Sequence, residues 1–220
     1  MLASVTNVDE ALMALGAGVE MIDLKNPAAG ALGALDHVLV KNIVQAIDHQ
    51  GVVSATIGDL PMQSKLIVDA TQAMLRAGVD IVKIGFFGQS FHEQCLEALH
   101  DLAAKNKLIA VMFADESPNL KLLHEIAKAG FFGVMLDTAH KNGKHLLNHM
   151  SIDQLSLFVK DAKVQGLEVG LAGSIQAIHV KELINIHPSY LGFRGALCEQ
   201  SNRTSHLAIE KMVSIKSMLH

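Results

Sequence analysis

One unit recurs three times in the 220-residue sequence: a helical segment, a glycine and an apolar run. The three copies contain AGVEMIDLK from Ala17, AGVDIVKIG from Ala77 and AGFFGVMLD from Ala129. The residues before each copy have the apolar spacing of a helix, and glycine easily adopts the positive φ with which many helices end. The repeated unit is therefore helix, glycine and strand, which favours a parallel α/β fold.

Extending this pattern along the chain predicts alternating strands and helices. The predicted strands are Leu2–Val5, Val19–Leu24, Val52–Ile57, Val79–Phe86, Leu108–Phe113, Phe131–Leu136, Leu167–Leu171 and Tyr190–Phe193. The helices are predicted to begin near Val8, His37, Lys65, Phe91, Pro118, Ile152, Ile175 and Ser205. Eight such units with short connections predict a single (β/α)₈ TIM barrel over residues 1–220. An open, doubly wound sheet is the alternative.

Composition limits the classes of function. The sequence is 50% hydrophobic with a net charge of −4, and its basic residues are scattered rather than aligned for nucleic-acid binding. No apolar run approaches the roughly 18 residues of a membrane-spanning helix. Cys95 and Cys198 are expected to be reduced thiols. We therefore expect a cytoplasmic protein that binds a small molecule, contacts neither nucleic acid nor membrane, and forms a homo-oligomer.

Charged residues interrupt the repeated strands on one face only. Side chains alternate between the faces of a strand, so positions counted from the glycine of each copy separate into two sets. The even positions are apolar: Ile22, Leu24, Val82, Ile84, Val134 and Leu136. The odd positions hold Asp23 and Lys83 in one layer, and Lys25 and Asp137 in the next. In a barrel this face is the interior, and these layers lie at the C-terminal mouth, where active sites form.

These four charges have a structural and a catalytic interpretation. Buried Asp–Lys pairs would satisfy each other, but they stabilise a fold little compared with an apolar interior. We favour the catalytic interpretation, in which a neighbouring cation such as Lys83 keeps the amine of Lys25 nucleophilic. The amine would form a Schiff base with a carbonyl substrate, and Asp23 or Asp137 would move the proton of the adjacent C–H. The pattern therefore predicts aldolase chemistry.

Two glycine-rich segments follow the last two predicted strands. GLAGSI spans residues 170–175 and contains Gly173 and Ser174, whereas GFRGAL spans residues 192–197 and contains Arg194 and Gly195. In many barrels these loops bind a phosphate, because glycine lets main-chain N–H groups approach the anion and an arginine adds positive charge. The two segments predict a sugar phosphate as substrate, and an ordinary turn is the alternative for each.

A histidine cluster after the sixth strand suggests a metal site less strongly. His140, His145 and His149 lie there, but the segment lacks the glutamate of an H-E-x-x-H motif and is typical of a solvated loop. We therefore predict no metal. Asp115 or Glu116, after the fifth strand, would either reach the mouth or begin a helical turn.

Five motifs, taken in order, resemble one known family over nearly the whole chain. They are DLKNP at 23–27, SATIGD at 54–59, IVKIGFFG at 81–88, LDTAHKNGK at 136–144 and FRGALC at 193–198. Together they are similar to the (5-formylfuran-3-yl)methyl phosphate synthases of methanofuran biosynthesis. The resemblance implies a class I aldolase-like barrel. It also implies a Schiff base on Lys25, with Asp23, Lys83, Asp137 and Lys141 as the other catalytic residues.

The resemblance also implies the reaction. Two molecules of glyceraldehyde 3-phosphate would condense to a furan aldehyde phosphate, with loss of one phosphate and two waters. The sum is redox-neutral, so we expect no cofactor: neither NAD, flavin nor metal. Two alternatives stay open, namely another Schiff-base aldolase or isomerase acting on a sugar phosphate, and a non-catalytic barrel that binds a sugar phosphate.

Overall fold

The strands form a closed barrel. The computed structural model describes residues 1–88 and 90–219, and within them eight parallel strands alternate with eight α-helices. The strands are β1 (Leu2–Val5), β2 (Met21–Leu24), β3 (Val52–Thr56), β4 (Ile81–Gly85), β5 (Lys107–Phe113), β6 (Gly133–Asp137), β7 (Glu168–Leu171) and β8 (Tyr190–Phe193). The helices are α1 (Val8–Gly16), α2 (His37–Ile47), α3 (Ser64–Arg76), α4 (His92–Ala103), α5 (Leu122–Lys128), α6 (Ile152–Val164), α7 (Ala177–Ile184) and α8 (Ile209–Ser217). Strand β8 pairs with β1, which confirms the predicted (β/α)₈ barrel and rules out the open sheet.

The repeated glycines end helices as predicted, but the strands after them begin two residues later than predicted. Gly18 and Gly130 have φ values of 72° and 84°. After them, the N–H of Val19 donates to the carbonyl of Ala14, and that of Phe131 to Ile126. These N–H groups complete the helix C-terminus instead of the sheet ladder, as in a Schellman motif.

Helices α5 and α8 begin four residues later than predicted. Before α8, Leu207 forms an antiparallel bridge with Cys198, and the N–H of Ala208 donates to the carbonyl of Leu197. This pairing holds the chain extended up to the first turn of the helix. Before α5, the N–H groups of Leu122 and Leu123 donate to the carbonyls of Asn119 and Leu120, three residues earlier, so this segment turns without the four-residue bonds of an α-helix.

The alternation of side chains produces two separate cores. The predicted even-position residues all lie in the layer between the sheet and the helices. A smaller cluster fills the barrel interior: Ile81, Ile109, Val111, Phe113, Met135 and Ala172, joined by Ala31 and Leu32. The last two come from the loop after β2, and Leu32 is only 1% exposed. This loop therefore folds inward over the barrel, and the charged positions lie on the interior face, as predicted.

Two further predictions concern the cysteines and membrane-spanning helices. Cys95 and Cys198 are buried free thiols, as predicted. Among the described residues, no helix combines the length and apolar character needed to cross a membrane.

Close packing between β6 and β7 makes Gly133 sensitive to substitution. A Cβ at Gly133 would lie 2.6 Å from the main-chain oxygen of Glu168, whereas a Cβ at Gly16 would meet nothing within 4 Å. We predict that Gly133→Ala lowers the free energy of unfolding by about 1–3 kcal/mol, because the strands must separate to accommodate the methyl group. Urea denaturation measures this change. The matched control, Gly16→Ala, should be neutral or slightly stabilising. Equal effects of the two substitutions would contradict the packing argument.

Candidate active site

A cavity of about 260 Å³ opens at the C-terminal ends of the strands. It collects predicted site residues from five strands and their following loops: Lys25, Lys83, Asp137, Lys141, Gly173, Ser174, Arg194 and Gly195. Asp23, the remaining predicted residue, is fully buried behind them and bonded to Lys83. The structure therefore brings all the predicted site residues together at the barrel mouth.

Asp137 lies between two lysines at the end of β6. Its Oδ2 atom is 3.4 Å from Nζ of Lys25, and its Oδ1 atom is 2.9 Å from Nζ of Lys141. The main-chain N–H of Thr138 also donates to Oδ1 over 2.7 Å. Lys141 makes two more bonds, to the carbonyl and hydroxyl oxygens of Thr138 at 2.7 and 2.9 Å. Asp137 is thus fixed at the floor of the cavity, and Lys141 is held over it.

The charges of this cluster determine its protonation. Burial by itself would raise the pKa of Asp137, but the charges of Lys141 and Lys25 lower that pKa well below its ordinary value. The carboxylate is therefore ionised at neutral pH. Burial lowers the pKa of Lys141, although the attraction of Asp137 opposes this shift. Repulsion from Lys25 and Arg203 lowers the pKa further.

Asp23 pairs with Lys83, one layer deeper in the barrel. Nζ of Lys83 lies 2.8 Å from Oδ1 of Asp23, and both side chains are almost fully buried. The hydroxyl of Ser54 donates to the same oxygen over 2.8 Å, and that of Ser4 donates to Oδ2 over 2.9 Å. Burial and the charge of Lys25 lower the pKa of Lys83, although Asp23 opposes this shift.

Asp23 and Asp137, the two aspartates suggested as proton carriers, contact different lysines. Asp23 and Lys83 share one layer, and Lys25 and Asp137 share the next, as the sequence alternation predicts. Asp23 has no exposed surface and contacts Lys83 rather than Lys25. The geometry therefore favours Asp137 as the carboxylate for Lys25, and Asp23 as the group that holds Lys83.

The loops after β7 and β8 line the cavity with Gly173, Ser174 and Gly195. Gly173 and Ser174 have φ values of 101° and 53°, and a Cβ at Gly173 would lie 3.0 Å from Cγ2 of Thr138. The N–H groups of Gly173, Ser174 and Gly195 donate to no protein acceptor within residues 1–88 and 90–219. Free N–H groups of this kind suit an anion.

The N–H donors of the Arg194 side chain are all bonded to protein acceptors. Two of its N–H donors bind the buried carboxylate of Glu10, at 2.6 and 3.2 Å. The other three donate to the main-chain oxygens of Ser4, Arg203 and Ser205. A guanidinium has five N–H donors, so none is left for a phosphate. The predicted phosphate contact of this side chain therefore conflicts with the geometry, and Arg194 instead fixes the loop after β8.

Sequence reasoning missed Arg203, Ser4 and Ser54. Arg203 lines the cavity from the loop after β8. Its position has no periodic signal, because the loop between Cys198 and Leu207 is irregular. The two serines could have been found, because both occupy interior-facing positions on strands next to β2, in register with Asp23.

The loop that carries Lys141 is anchored by Asp115. This carboxylate accepts the main-chain N–H groups of Ala139 and His140 at 2.7 and 2.8 Å, and the ring of His140 contacts it as well. Burial by itself would raise the pKa of Asp115, but these hydrogen bonds lower that pKa below its ordinary value. Among the described residues, no three His, Cys, Asp or Glu side chains converge in a way that could hold a metal ion.

The fold and the site define a (β/α)₈-barrel enzyme with a lysine–aspartate site at the strand ends. Its solved structural neighbours include 3-hexulose-6-phosphate synthase from Salmonella typhimurium, with a TM-score of 0.71, 16% identity, and coverage of 99% of this chain and 97% of the other. Phosphoribosyl anthranilate isomerase from Thermus thermophilus has a TM-score of 0.69, 16% identity and the same coverage of both chains. At these identities the likeness concerns the fold alone.

Sequence comparison identifies the family. The 4-HFC-P synthase family matches residues 1–216. A (5-formylfuran-3-yl)methyl phosphate synthase from Archaeoglobus fulgidus is 35% identical over 100% of this chain and 98% of its own length. One from Methanopyrus kandleri is 33% identical over 92% of this chain and 91% of its own. The chain belongs to the 4-HFC-P synthase family, as its motifs predict.

The buried Glu10–Arg194 pair should be structural. We predict that Arg194→Ala lowers the free energy of unfolding by about 3 kcal/mol at pH 7, because it leaves a buried carboxylate without its partner. Arg194 lowers the pKa of Glu10 from its ordinary value of 4.5, so the pair stabilises the fold above that pH. Its contribution is lost as the pH falls through the lowered pKa, and the difference between variant and wild type should shrink there.

Thermal melting across this pH range measures the effect, with Arg76→Ala on α3 as the matched control. An unchanged melting temperature accompanied by a raised KM would restore the phosphate-binding role to Arg194.

Proposed function

We propose that this protein condenses two molecules of glyceraldehyde 3-phosphate to (5-formylfuran-3-yl)methyl phosphate, through a Schiff base on Lys25, as a step of methanofuran biosynthesis. Family membership supports the product, since the relatives carry that name. The position of Lys25 beside Asp137 in a cationic cavity is the observation that carries the mechanism. The cytoplasmic location and the homo-oligomer stay predictions.

Lys25 is the best nucleophile of the three lysines. Lys83 is only 1% exposed and bonded to Asp23, so a substrate carbonyl cannot readily reach it. Lys141 directs all three of its N–H donors to Asp137 and Thr138 at 2.7–2.9 Å. Among the described residues, the amine of Lys25 has a single, longer contact of 3.4 Å with Asp137, and Lys25 lines the cavity. Its amine therefore has the freedom to attack a carbonyl.

Asp137 then acts as the base once Lys25 has formed the imine. The amine of Lys25 adds to the carbonyl, and water leaves to give an iminium ion. The iminium acidifies the adjacent C–H, and Asp137, ionised because of its lysine neighbours, accepts that proton. The resulting enamine forms the carbon–carbon bond to the aldehyde of a second triose phosphate. Loss of one phosphate and two waters overall completes the balance, and hydrolysis of the imine frees Lys25.

The substrate phosphate has a ready site in the loops after β7 and β8. Gly173, Ser174 and Gly195 line this part of the cavity, and their N–H groups donate to no acceptor among the described residues. Main-chain donors bind a phosphate without adding the charge of another side chain. We assign them to the triose phosphate that is attached to Lys25.

Borohydride trapping tests the nucleophile. Treatment with glyceraldehyde 3-phosphate and borohydride should reduce the imine to a stable secondary amine, which mass spectrometry would locate on Lys25. Lys25→Arg should give no adduct and no furan absorbance, because a guanidinium retains the charge but cannot form the imine. An adduct on Lys83 or Lys141 would move the nucleophile. Furan formation without any adduct would overturn the Schiff-base mechanism, and turnover of only another sugar phosphate would overturn the substrate.

Asp137→Asn tests the proton carrier. We predict that kcat falls by about 10²- to 10⁴-fold, because the amide keeps the shape of the side chain but cannot accept the proton. The matched control is Asp69→Asn, which removes an exposed carboxylate paired with Lys65 on α3 and should leave kcat unchanged. Furan formation and a thermal melt of each variant provide the comparison. A near wild-type rate for Asp137→Asn would make Asp23 the better candidate.

A further inference from the structure

We propose that Arg203 binds the phosphate of the second triose phosphate, so that the cavity has two separate anion sites. The inference rests on the proposed function, because only a condensation of two phosphorylated molecules requires two such sites. One site consists of the main-chain N–H groups of Gly173, Ser174 and Gly195 described above. The other is the guanidinium of Arg203, which lines the same cavity.

The charge balance of the cavity singles out Arg203. The lining contains five basic side chains and one acidic side chain, Asp137. Two of the basic side chains are neutralised by buried partners, Arg194 by Glu10 and Lys83 by Asp23. Lys25 and Lys141 share Asp137. Arg203 forms no ion pair within residues 1–88 and 90–219.

Counting Lys25, Lys141 and Arg203 as +3 and Asp137 as −1 leaves a surplus of +2 at the cavity lining. A phosphate monoester carries a similar negative charge near neutral pH. The lining therefore attracts phosphorylated substrates, and Arg203 supplies the part of this charge that no carboxylate of the described residues pairs with.

The hydrogen bonds of Arg203 lead to the same conclusion. One N–H of its guanidinium donates to the main-chain oxygen of Gly30, over 2.8 Å. That bond fixes the direction of the side chain from the loop after β8 toward the loop after β2. The other four N–H groups donate to no acceptor among the described residues, whereas all five N–H groups of Arg194 are used. A half-buried guanidinium with four spare donors is suited to a phosphate.

Arg203 also lies within electrostatic reach of the reacting groups. Asp137 and Asp59 attract its charge, and Arg203 contributes to the lowered pKa of Lys141. The two acidic groups do not occupy its donors, because Asp59 accepts the N–H groups of Ala31 and Leu32 and Asp137 is held by the lysines. A triose phosphate held by Arg203 would therefore lie in the same cavity as the enamine on Lys25.

The experiment separates the two substrate molecules. Borohydride trapping on Lys25 reports binding of the first molecule, and furan absorbance reports reaction with the second. We predict that Arg203→Ala leaves the concentration for half-maximal trapping unchanged. The concentration for half-maximal furan formation should rise about ten- to a hundred-fold, since charge-assisted hydrogen bonds to the second phosphate are lost. Arg203→Lys, which keeps the charge without the paired donors, should lie between the wild type and Arg203→Ala.

Arg76→Ala, which removes an arginine from the outer face of α3, is the matched control and should change neither measurement. Normal trapping shows that a variant retains its fold and its first site, so lost folding cannot imitate the predicted result. If Arg203→Ala weakens trapping as much as furan formation, Arg203 binds the first phosphate and the inference is wrong. Wild-type furan formation by Arg203→Ala would also overturn it. Absence of any adduct in the wild-type protein would instead overturn the proposed function, and the second site with it.

Discussion

The buried ion pair between Asp23 and Lys83 is the interaction on which the rest of the site depends. Both groups are removed from water, and an isolated charge at that depth would cost several kcal/mol. The cost is offset because Asp23 accepts bonds from Lys83, Ser4 and Ser54. An apolar interior would stabilise the barrel at least as well. We therefore interpret the pair as a support, in which Asp23 fixes Lys83 as a second cation below Lys25.

Above this pair, one carboxylate serves two lysines in different ways. Asp137 binds Lys141 closely and Lys25 more loosely, at 2.9 and 3.4 Å. The difference leaves Lys141 closely bonded and Lys25 more loosely held. The lysines also keep Asp137 ionised. In the proposed reaction, these contacts explain why Lys25 is the nucleophile and Asp137 is the base.

Carboxylates also hold the loops around the mouth. Asp59 accepts main-chain N–H groups from the loop after β2, and Asp115 does the same for the loop after β6. Glu10 fixes the loop after β8 through Arg194. Irregular loops provide few hydrogen bonds of their own, so a carboxylate that accepts their N–H groups can position them closely. The cavity wall therefore has a defined shape, although most of its residues lie outside helices and strands.

The sequence by itself determined the alternation of strands and helices, the helix-ending role of Gly18 and Gly130, and the interior face that carries the charges. These properties follow from local periodicity and local backbone conformation, which a single strand or helix already contains. Only the tertiary structure decided the partners. Lys25 and Asp137 are 112 residues apart, and Arg194 and Glu10 are 184 apart. Which charges meet depends on distances across the closed barrel, and no periodic pattern records those distances.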